Sequence, residues 1–138
     1  MSKETIISLI LAFPIGIITG LYRGVILSRY TRFSELRNEV LRIIRTIDFM
    51  QETGTLVITN DHDVSKLSLV VSDLLFLKHR KAADVVAQLQ SDISEKKQNA
   101  VAGHIMIDVY NSSYIEWQKS ANAITPNKMV IFSFWGKL

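Results

Sequence analysis

The chain contains no cysteine, so it can form no disulfide and offers no thiolate to a metal or a substrate. This agrees with a reducing compartment. Neither glycine nor proline occurs between Gly54 and Gly103, so the strongest helix-stop signals are missing from the middle of the chain. No glycine-rich phosphate loop is present: Gly16, Gly20 and Gly24 are not followed by Lys-Ser or Lys-Thr. A G-x-S-x-G nucleophile turn and an H-E-x-x-H zinc motif are absent too. No internal repeat or low-complexity tract stands out. With no convergent set of polar groups announced, the chain reads as a non-enzyme without a cofactor.

Charge is also missing where it is most telling. No charged residue occurs from Thr5 to Tyr22. Eighteen uncharged residues give roughly 27 Å of helix, close to the hydrocarbon thickness of about 30 Å. The expectation is a single-pass membrane anchor over residues 1–28. It would be followed by a juxtamembrane amphipathic helix, 29–53, and by the rest of a small cytoplasmic domain, 54–138. A cleaved signal peptide fits less well, because Lys3 is offset by Glu4 and no small-x-small site follows the apolar run. The expected fold class is mainly α: one transmembrane helix, then a helical bundle, with room for a two-stranded β element.

Within the apolar run, every fourth residue is small: Ser8, Ala12, Gly16, Gly20, Gly24 and Ser28. Small residues at this spacing let two helix backbones approach closely. The row predicts packing against copies of the same chain or against a partner's helix.

Lysine is absent between Glu4 and Ser65, and every fixed cation there is arginine. Arg23, Arg29, Arg32 and Arg37 follow the apolar run and are expected to meet anionic lipid. A cation excess on this side places the N-terminus out and the C-terminal bulk in the cytoplasm, as in a bacterial inner-membrane protein. Arginine also binds phosphate bidentately. Few aromatic residues accompany the basic stretch, which argues against nucleic acid. The formal net charge is +3.

From Phe33 the spacing changes. Phe33, Leu36, Val40, Ile43, Ile47 and Met50 step by three and four, the period of a bundle seam or a short coiled coil. The helix is expected to stop near Gly54. Thr55 to Thr59 reads as a brief strand or a connector, and Met129 to Trp135 reads equally well as a helix or as a strand that could pair with it. Val64, Leu67, Val71 and Leu74 predict a second helix ending near His79. The basic run Lys78 to Lys81 marks its end or continues it. Apolar spacing then resumes from Val85 to Ile115, as one long helix or as two joined near Glu95 to Gln98. Thr125-Pro126 resembles a helix start.

Three histidines remain. Asp61-His62-Asp63 reads as a polar turn, since a transition-metal site needs further ligands. His104 and Asp108 share a helix face as an i, i+4 pair. His79 reads as solvated. The function these features predict is a self-associating interaction or scaffold module with a protein partner. A small pore-forming or membrane-perturbing effector is the alternative, and binding of a phosphorylated small molecule at Lys78 to Lys81 a third class.

Overall fold

The three-four seam lies on the C-terminal half of one very long helix. The computed structural model describes residues 3–52, 55–58, 63–103 and 107–133, and only the backbone of 3–7, 9, 11, 49–52 and 55–58. Helix α1 runs unbroken from Lys3 to Arg45, 43 residues, or about 64 Å. From the seam, Phe33, Leu36, Val40, Ile43 and Ile47 are buried, with Leu41 and Ile44 filling the flanks.

Among the described residues four shorter helices build the domain around that half. A single 3-10 turn, Val64–Lys66, leads into α2, Leu67–Phe76. Helix α3 spans Arg80–Val101, α4 spans Ile107–Asn122 and α5 spans Lys128–Phe132. Helices α2 and α4 lie against α1, α3 lies against both of them, and α5 returns to α1. The core is closed by Leu67 and Leu74 of α2, Val86 and Ile93 of α3, and Tyr110 and Trp117 of α4. The two aromatic rings meet edge to face at 5.8 Å. The Trp117 indole N–H donates to the Asp92 carboxylate, which links α4 to α3.

The turns explain boundaries that periodicity left open. Helix α2 stops without a glycine. The Lys78 N–H donates to the Leu75 carbonyl and the His79 N–H to the Leu74 carbonyl at 2.8 Å, while Lys78 takes a φ of 62°. This is the paired-carbonyl C-cap usually built on glycine, here with lysine in the left-handed position. Helix α3 ends conventionally at Gly103, with a φ of 74°. The break before α4 therefore falls beyond Val101, not near Glu95 to Gln98. Helix α5 is capped by Asn127, whose side-chain oxygen accepts the Met129 N–H at 3.0 Å.

Several expectations are corrected. Among the described residues no helix is long and apolar enough to cross a membrane. Within the apolar run Pro14, Gly16 and Gly20 contribute little apolar side chain, and Arg23 and Arg29 follow it closely. The transmembrane anchor in the expected fold class is thus overturned. So are the membrane localisation and the N-out orientation built on it. Helix α1 stops at Arg45, well before Gly54, and Met50 lies on a strand. That strand, β1 (Phe49–Glu52), pairs antiparallel with β2 (Thr55–Ile58), with Phe49 opposite Ile58 and Glu52 opposite Thr55. The partner of the Thr55 strand is its immediate neighbour, for which loop closure costs least. Of the two readings of the tail, the helix holds over Lys128–Phe132 and the strand does not, and Trp135 lies outside the described residues.

Candidate interaction surface

The N-terminal half of α1 leaves the helical domain uncovered. Ile10, Phe13, Ile15, Ile18, Leu21 and Leu27 are 54–72% exposed, though each is a large apolar side chain. They are spread around the helix, so no single stripe collects them. All six residues of the small row, Ser8, Ala12, Gly16, Gly20, Gly24 and Ser28, are exposed. A Cβ added at Gly16, Gly20 or Gly24 would meet nothing within 4 Å. The row is therefore a smooth strip of backbone with open space over it.

The four arginines behind this strip have different surroundings. Arg23 is exposed. Arg29 Nη1 donates to the carbonyl oxygens of Val130 at 3.0 Å and Ser133 at 2.8 Å. A guanidinium there satisfies carbonyls that the end of α5 leaves open. The Tyr22 hydroxyl donates to the Phe132 carbonyl at 2.8 Å. Together Tyr22 and Arg29 fasten α5 to the middle of α1. Arg32 pairs with Glu35 at 3.3 Å and with Asp73 at 3.7 Å. These exposed ion pairs are worth about 0–1 kcal/mol. Arg37 is half-buried, and its Nε has no hydrogen-bond partner among the described residues. One turn on, Arg42 grips both oxygens of Glu39 and holds that carboxyl below its ordinary range.

Of the three histidines, His79 is described in full, and it is not solvated. It is 2% exposed, stacked edge-on against Phe33 at 4.8 Å. Its Nδ1 accepts the backbone N–H of Asn127 at 3.0 Å. Burial lowers its pKa, so the ring is held neutral. The left-handed turn at Lys78 decides this. It ends α2 after the C-cap Leu77, and His79, the residue after Lys78, is buried as α3 begins. Asp63 pairs with Lys66 at the start of α2. Asp61, His62 and His104 lie outside the described residues. Among the described residues no cluster of potential metal ligands forms.

No family model matches this chain. Nor does any curated protein or solved structure match it. The functional reading therefore rests on the geometry alone.

Proposed function

We propose that this chain is an interaction module that assembles with copies of itself through the N-terminal half of α1. The carrying observation is the contrast within a single helix. Its C-terminal half is buried in the core, while its N-terminal half exposes large apolar side chains beside an open small-residue strip. A helix apolar on several sides normally ends up buried, and large apolar side chains left exposed together mark contact surfaces. A second copy supplies matching chemistry: a strip for close backbone approach, flanked by isoleucine and leucine on both sides. The helical domain then serves as the display, holding further contacts at a fixed distance along α1.

Sedimentation equilibrium of the full chain tests the reading. The mean mass should rise with concentration to a whole multiple of the single chain. Gly20→Leu should weaken association at least tenfold, and Leu21→Ala, off the strip, should change it little. Because open space lies over Gly20, the leucine fits the isolated chain without a clash. Loss of association would then not be a folding defect. A parent chain that stays single at every concentration would sink the proposal. So would a Gly20→Leu variant that assembles like the parent.

A further inference from the structure

A cavity of about 850 Å³ opens between the turn joining α2 to α3 and the segment that leads into α5. Its charge is one-sided. Lys78, Arg80, Lys81 and Lys128 line it, and among the described residues no carboxylate does. Phe76, Pro126 and Val130 add apolar lining. The volume falls within the usual range for small-molecule sites.

Two features of the polar wall favour an anion. Helix α3, 22 residues long, begins at Arg80 with its N-terminus at this cavity. Its first turn contains no acidic residue, and no side chain caps it. The first backbone N–H groups of a helix then lack intrahelical acceptors, and the helix dipole adds positive potential. Independently, His79 lines the cavity while being 2% exposed. Its Nδ1 is used as an acceptor for the Asn127 N–H. The neutral ring must therefore carry its proton on Nε2. That donor has no partner among the described residues. A buried ring with one satisfied nitrogen and one unused N–H is a fixed donor at a cationic wall.

We propose that this cavity binds a phosphomonoester dianion carried on a small apolar or aromatic body. The phosphate sits at the start of α3 between Arg80, Lys81 and Lys128. Arginine supplies the forked contact and the lysines supply point charge. The body rests on Phe76 and Pro126. The same headgroup chemistry occurs in free phosphate esters and in phosphatidic acid, and the test separates the two. This site is distinct from the N-terminal strip of α1 and does not depend on self-association.

Calorimetric titration of the full chain with phenyl phosphate, inorganic phosphate and phenol is the direct measurement. Phenyl phosphate should bind at least fivefold more tightly than inorganic phosphate, and phenol should give no heat. Lys81→Gln and Lys128→Gln, both at exposed positions, should each weaken phenyl phosphate at least fivefold. Lys119→Gln, exposed on α4 away from the cavity, should leave it unchanged. A parallel arm measures flotation with phosphatidylcholine vesicles with and without phosphatidic acid. Binding that requires phosphatidic acid and is lost in Lys81→Gln, without phenyl phosphate binding, would assign the phosphate to a lipid headgroup at the same site. Absence of binding in both arms would overturn the proposal. Binding that survives both Lys81→Gln and Lys128→Gln at parental strength would do the same.

Discussion

The imidazole of His79 accepts the backbone N–H of Asn127, 48 residues further along the chain, at 3.0 Å. This one bond joins the α2–α3 turn to the segment that starts α5. It also fixes the ring nitrogen that must stay unprotonated, so the link depends on the charge state of a buried histidine.

Acid should therefore weaken the domain through His79. Burial depresses the folded-state pKa below the ordinary value of 6.5. The unfolded chain then takes up a proton that the folded chain refuses. The stability from this group is complete above about pH 6.5 and is lost as pH falls toward the depressed folded value. Urea unfolding at a series of pH values should show the decline below that point. His79→Gln should lower stability at neutral pH and flatten the decline. An equally steep fall in the variant would assign it to other groups.

Alkali should act through Tyr110. Its phenol is fully buried, and that burial, with smaller contributions from Tyr114 and Asp48, pushes its pKa up to about 12 from 10.0. Here the folded value is raised. The stability is complete below pH 10 and is lost as pH rises toward 12, by up to about 1.4 kcal/mol per pH unit. Tyr110→Phe should reduce this slope relative to the parent chain. If the two alkaline unfolding curves run parallel, the phenol does not titrate on unfolding.

Lys78→Gly should stabilise the fold. A non-glycine residue at a φ of 62° is strained by contact of its Cβ with the following carbonyl. Glycine removes that contact, and part of the gain is returned through the greater freedom of the unfolded chain. A net increase of about 0.5 kcal/mol is expected, read as a small rise in the denaturant midpoint. A fall in the midpoint would mean that contacts of the lysine side chain outweigh the strain.

Arg29→Met should loosen α5 while leaving the core intact. The guanidinium holds the carbonyls of Val130 and Ser133, and methionine keeps the flexible apolar stem without its donors. Hydrogen exchange at the Val130 and Ile131 amides, both bonded to the Asn127 carbonyl, should speed up severalfold. Exchange in α3 should not change. Unaltered protection at these two amides would show that Tyr22 and the packing of Ile131 hold α5 without Arg29.

Much of the helical layout was legible in the sequence because its signals are local. The three-four spacing from Phe33 to Ile47 picks out a face that is buried in the structure. The small row could be read as a strip along one helix for the same reason: a period of four residues needs no knowledge of the rest of the chain. Turn chemistry was legible where glycine marks it, as at Gly103, and illegible at Lys78, where a lysine takes the position glycine usually fills. The long apolar run pointed to a membrane span, but among the described residues no helix is long and apolar enough to cross one.

Tertiary structure decided what depends on distant neighbours. Nothing around Arg29 announces that it will meet carbonyls about a hundred residues later. The choice between two apolar partners for the Thr55 strand followed loop closure, which favoured the adjacent Phe49 segment. His79 reads as solvated beside three cations, and it is buried because a left-handed turn re-aims it toward Phe33 and Asn127. The basic cavity likewise needs Lys128 brought beside the start of α3. Periodicity specifies which face of a helix is apolar, whereas charge and hydrogen-bond partners are assigned only when the chain closes on itself.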